Sequence, residues 1–147
     1  MLISISQSMM REIIMDHYSS PRHKQTPKNA AKYQQIHMDS TSCIDDIMVY
    51  VLVENDKVVD ACFDGVACTI ATAAADILCE LIIDKTKAEA NYILDQYENM
   101  IFEREFDEEV LDEALVFVNT SKQAARIKCA TLAWKAIEEA IKKSEEK

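Results

Sequence analysis

The stretch IMVYVLVENDKVVDACF, residues 47–63, constrains the fold more than any other part of the chain. Two runs rich in β-branched residues flank Asn55-Asp56, a pair suited to a tight turn. The pattern predicts an antiparallel hairpin whose first strand starts directly after Asp46. The chain's single glycine, Gly65, closes the second strand. After it the periodicity changes. Ile70, Ala74, Ile77, Leu78 and Leu81 recur at helical spacing, with Thr69, or a residue just before it, as the start. Cys68 is thereby placed at a strand-to-helix junction.

Helices are expected on either side of this unit. In SQSMMREIIMDHY, residues Met9, Met10, Ile13, Ile14 and Tyr18 form one apolar face. SSPRHKQTPKNAA carries both prolines and reads as an exposed loop, and KYQQIHM is a weak strand candidate. KAEANYILDQYENMI predicts a helix with Ala90, Ile93, Leu94 and Tyr97 on one side. FEREFDEEV is acidic and reads as exposed, and LDEALVFVNTSKQAA as a short helix followed by a turn. ARIKCATLAWKAIEEAIKK is a strongly amphipathic helix with Ile127, Ala130, Trp134, Ile137 and Ile141 in a stripe. The result is an α+β fold, a small antiparallel sheet of about three strands packed against helices, in a single domain over 1–147.

Charge narrows the partners. With 16 Lys and Arg against 26 Asp and Glu, the formal charge is −10. Nucleic acid and anionic membrane are disfavoured, although a local basic patch remains free to meet a protein. No apolar run has the length of a membrane span. MLISISQSMMREII has no basic leader before its apolar residues, and the five cysteines are widely spaced. Both features point to a reducing, cytoplasmic setting with thiols free or metal-bound.

The cysteines separate by context. Cys62 lies inside a strand run and Cys79 inside a helix run, where a free cysteine acts as a small buried hydrophobe. Cys43, Cys68 and Cys129 each lie at the edge of an element. Thiols at helix N-termini have lowered pKa values, which favours the thiolate that binds metal or attacks sulfur. Asp45 shares a face with Cys43 in an extended segment. Three thiolates and a carboxylate would complete a tetrahedral zinc shell or anchor a small iron–sulfur cluster. The spacing equally allows several unrelated thiols in a reducing compartment. His17 reads as a helix-end or surface residue, and His23 and His37 carry no signal. No nucleophile elbow or Cys/His hydrolase signature is present.

Four segments resemble a known family. IIMDHYSSPRH is similar to a D-H-Y-x-x-P-R segment, and SCIDD stands in the place of a C-G-D. FDGVACTIATAAADIL is similar to F-x-G-x-G-C-x-I-x-x-A-x-A, and ARIKCATLAWKAIEEAI to an A-R-I-K-C-A-T-L-x-W helix. On these motifs the chain resembles the SufU branch of the IscU/NifU-like iron–sulfur cluster assembly proteins over most of its length. The resemblance implies that Cys43, Asp45, Cys68 and Cys129 are the metal-ligand set and leaves out Cys62 and Cys79. Lys128 stands where scaffold-type IscU proteins carry histidine, and the stretch between Cys68 and Cys129 is longer than theirs, which selects the SufU type. Ile44 and Ala67 replace family glycines, and Thr41 replaces a family proline.

The resemblance further implies function. SufU-type proteins bind Zn²⁺ and take sulfur from a SufS-type cysteine desulfurase, for use by downstream Fe–S assembly proteins. They act as sulfur carriers rather than conventional turnover enzymes. Cys43 is the expected sulfur acceptor, released from the zinc when the desulfurase docks, and Asp45 keeps part of the shell intact. Arg126 is expected to meet the desulfurase. Lys128 and Arg126 flank Cys129 and are expected to support the charge of the site. The alternatives are a scaffold holding iron or a transient [2Fe–2S] cluster on the same ligands, and a zinc-stapled interaction module without sulfur chemistry.

Overall fold

A computed structural model describes residues 6–39 and 44–145. Cys43 and Thr41 lie outside the described residues. Helix α1 spans Gln7–Ser19, strands β1, β2 and β3 span Gln34–Asp39, Asp46–Glu54 and Lys57–Val66, and helices α2, α3 and α4 span Thr69–Ile82, Lys87–Ile101 and Ala124–Ser144. Short 3₁₀ turns fill much of the segment between α3 and α4, at Glu108–Val110, Asp112–Phe117 and Thr120–Lys122.

The three strands form an antiparallel sheet in the order β1-β2-β3. The predicted turn is present: Asn55 and Asp56 both have positive φ, 52° and 65°, as the twist of a two-residue hairpin requires. Ile36, Ile47, Val49, Val51, Ala61 and Phe63 are buried in the core. Helix α4 lies against β1 and β2, α2 packs on β3 and α4, and α1 rests on α2. Helix α2 has no polar face, because 11 of its 14 residues are buried. Helix α3 starts on a capping box in which the Thr86 hydroxyl accepts from the Glu89 N–H and the Glu89 carboxylate accepts from the Thr86 N–H.

Gly65 has a positive φ of 125°, and a Cβ there would sit against the Asp46 carbonyl oxygen and 2.9 Å from the Ile47 Cα. Register pairs Ile47 with Gly65 and Asp46 with Val66, so this close approach fixes the open end of the hairpin. Gly65→Ala is expected to destabilise the fold by about 2–3 kcal/mol, from backbone strain together with the clash. Denaturant unfolding checks it, and a change under about 0.5 kcal/mol would contradict the reading.

Several local expectations are revised. On α1 the inward face is Met10, Ile13, Ile14 and His17, while Met9 and Tyr18 are exposed. His17 is buried rather than superficial. Its Nδ1 bonds Asp76 Oδ2 at 2.5 Å and its Nε2 bonds Glu113 Oε1 at 2.9 Å. The proline-bearing segment after α1 is pinned to the sheet: Gln25 N–H donates to the Phe63 carbonyl and Phe63 N–H to the His23 carbonyl. The short helix expected before α4 is a series of 3₁₀ turns, whereas α2 starts at Thr69 as expected, with Cys68 as its N-cap.

Candidate metal centre

Two strand ends and two helices build the site. The hairpin register brings the start of β2 beside the end of β3. Asp45, just before β2, and Cys68, just after β3, are thereby neighbours although 23 residues apart. The Cys68 backbone N–H donates to Asp45 Oδ1 at 2.8 Å, which holds the carboxylate against the first turn of α2. Cys68 has extended backbone, φ −67° and ψ 170°, and its Sγ accepts from the Ala71 N–H at 3.4 Å. A sulfur thus occupies the N-cap position where a hydroxyl or carboxylate oxygen is usual.

Cys129 comes from the second turn of α4, on the buried side of that helix. One ligand atom each from Asp45, Cys68 and Cys129 lies within 4.8 Å of the others. Asp45 is 2% exposed and Cys129 7%, so two of the three donors are shielded from water. The resemblance-implied ligand set is therefore gathered in space for its three described members. Cys62 and Cys79 are both buried away from this group, as their strand and helix contexts predict. Burial pushes the Cys62 thiol up to about 12 and the Cys79 thiol well above its ordinary range.

The electrostatics of the centre are one-sided. Burial pushes the Cys129 thiol up, and the neighbouring Cys68 and Asp45 push it further. This differs from the expectation of a lowered pKa, because Cys129 sits beyond the first helical turn and faces other acids. Arg126 and Lys128 are both exposed, and neither forms an ion pair among the described residues. Two sulfurs and a carboxylate, with the Cys68 Sγ 4.0 Å from Asp45 Oδ2, form a donor set suited to a thiophilic divalent cation, which would hold the thiols deprotonated.

A second polar cluster, which sequence reasoning missed, lies deeper. Asp76 is fully buried; its Oδ2 bonds His17 and its Oδ1 accepts the His23 backbone N–H at 2.7 Å. It ties α1, the following loop and the Asp112–Phe117 turn to α2. The available signal was an acid inside the otherwise apolar run ATAAADIL.

Residues 9–147 match the family model described as the NifU-like N-terminal domain. The chain is 33% identical to the zinc-dependent sulfurtransferase SufU of Bacillus subtilis, covering 94% of this chain and 92% of that protein. It is 32% identical to the iron–sulfur cluster assembly scaffold protein IscU of Streptococcus pyogenes, covering 98% of this chain and 89% of the relative. The solved structure of FiSufU, from the thermophile Fervidobacterium islandicum AW-1, superposes with a TM-score of 0.81 at 36% identity, covering 88% of this chain and 94% of that one. No helix among the described residues is long and apolar enough to cross a membrane.

Proposed function

The chain belongs to the NifU-like N-terminal domain family of iron–sulfur cluster assembly proteins, and from that premise we propose that it accepts sulfur from a SufS-type cysteine desulfurase at a zinc site. The ligands are Cys43, Asp45, Cys68 and Cys129, and the 147 residues act as one domain. The observation that carries this reading is the convergence of Asp45, Cys68 and Cys129 to within 4.8 Å from three separate parts of the chain. Zinc, when bound, stabilises the thiolate forms of its cysteine ligands and is itself redox-inert.

The chain's own residues perform the transfer. The Cys43 thiolate attacks the outer sulfur of the desulfurase persulfide. A new S–S bond forms to Cys43, the S–S bond on the desulfurase breaks, and the desulfurase cysteine leaves as a thiolate. The proton of the persulfide travels with the transferred sulfur, and no net oxidation occurs. Asp45 keeps the first turn of α2 in place through the Cys68 N–H while Cys43 reacts. Arg126 and Lys128, exposed at the start of α4, receive the partner, and the persulfide passes on to downstream Fe–S assembly proteins.

A second reading is kept because the Streptococcus pyogenes relative is named as a scaffold. In that reading a [2Fe–2S] cluster is the cargo, assembled on the same donors and passed on. Desulfurase turnover with wild type, Cys43→Ala and Cys62→Ala tests the transfer reading. Cys43→Ala is expected to lose the stimulation entirely and Cys62→Ala to retain it. Undiminished stimulation by Cys43→Ala would sink the transfer step. A stable visible chromophore after anaerobic reconstitution with iron and sulfide would favour the scaffold.

A further inference from the structure

In a chain of formal charge −10, one cleft contains no acid at all. It has a volume of about 400 Å³ and lies between α1, the first turn of α2, the 3₁₀ turns and the start of α4. Met10, Ile14, Ile70 and Val116 give it an apolar lining, and Arg11 and Arg126 line it too. The other lining side chains are amides and a hydroxyl, so nothing in the cleft neutralises the arginines. Neither arginine forms an ion pair among the described residues, whereas Arg22 bonds Asp16 at 2.5 Å and Arg104 lies 3.7 Å from Glu98.

The cleft is lined from the same two segments of chain that supply the thiols of the candidate metal centre. Ile70 follows Cys68 by two residues on α2, and Arg126 precedes Cys129 by three on α4. An arginine binds a carboxylate through two parallel N–H donors, and two arginines in an apolar lining match an acidic side chain with an apolar neighbour. The net charge of −10 disfavours such a segment over the molecule as a whole, so an acid-free cleft favours one landing place.

We propose that this cleft is a docking socket for an acidic segment of the sulfur-donating protein, with Arg11 as well as Arg126 engaging its carboxylate. The inference rests on the sulfur-transfer reading and adds to it a residue 115 positions from Arg126 in the chain. Arg11 acts on docking alone and contributes nothing to the metal donors.

Titration calorimetry of the cysteine desulfurase into wild type, Arg11→Gln and Arg11→Glu at low and high salt tests the socket. Circular dichroism and metal content serve as checks on the fold, and Arg104→Glu as a charge-matched control. Arg11→Glu is expected to weaken binding at least tenfold, Arg11→Gln by less, and Arg104→Glu hardly at all. The wild-type affinity should also fall more steeply with salt than that of Arg11→Glu. In a second arm, thermal unfolding is followed with added inorganic phosphate and with acetate. A millimolar stabilisation that Arg11→Glu abolishes, with desulfurase binding unchanged, would make the cleft a small-anion site and overturn the proposal. Equal desulfurase affinity for wild type and Arg11→Glu, with stimulation intact, overturns the socket alone. A wild type that neither binds nor stimulates the desulfurase overturns the sulfur-transfer reading and the socket with it.

Discussion

Asp76→Ala is expected to lower the unfolding free energy by about 3–5 kcal/mol, a large share of the stability of a domain this size. The carboxylate is fully buried and accepts from His17 Nδ1 at 2.5 Å and from the His23 backbone N–H at 2.7 Å. Truncation leaves a buried ring nitrogen and a backbone N–H unpaired in one place, and each unmet group carries a desolvation penalty of about 1–3 kcal/mol. Asp76→Asn keeps an acceptor oxygen for the His23 N–H and should lose less. Glu113→Gln should lose least, because the Glu113 side chain is 45% exposed and solvent takes over its role. Denaturant midpoints for the three variants give the order directly. If Asp76→Ala and Glu113→Gln proved equally mild, the buried cluster would not be the staple of α1 to α2 described above.

Cys68→Ala is expected to reduce zinc affinity by at least about 100-fold, beyond the 10–100-fold typical of losing a residue that only supports a ligand. The substitution removes one of two described sulfurs and also the acceptor for the Ala71 N–H at the start of α2. Cys68→Ser separates the two effects, since a hydroxyl still caps the helix but is a poor zinc ligand. The serine variant should regain helix stability while remaining defective in metal binding. Competition with a chromophoric chelator measures the affinity, and thermal unfolding of the metal-free protein measures the cap. Wild-type affinity in Cys68→Ala would remove this sulfur from the donor set.

The parts of the fold that were legible in the sequence are those encoded locally. Asn55-Asp56 between two β-branched runs specifies a hairpin within a few residues, and the stripe on α4 specifies its buried side. Of the candidate site, Cys68 and Cys129 were legible as thiols at element edges and Asp45 as a carboxylate two residues from Cys43, which itself lies outside the described residues. The His17 cluster was not, because its partners lie 59 and 96 residues away and such pairings leave no periodicity. The inward face of α1 was misjudged for the same reason. A histidine looks polar to any pattern of apolar spacing, so Tyr18 was placed inside and His17 at the surface. The direction of the Cys129 shift escaped as well, since it depends first on burial and then on two acids brought close by folding.

The hairpin has a bearing on the order in which the centre assembles. Asp45 and Cys68 are separated by 23 residues and are joined by the register of one antiparallel pair. Their meeting is a low-contact-order event, with a small loop to close. Cys129 lies a further 61 positions along the chain and reaches the group only when α4 docks on the sheet. A nascent chain therefore presents a two-pronged half-site before it presents the whole, and the last helix acts as the latch.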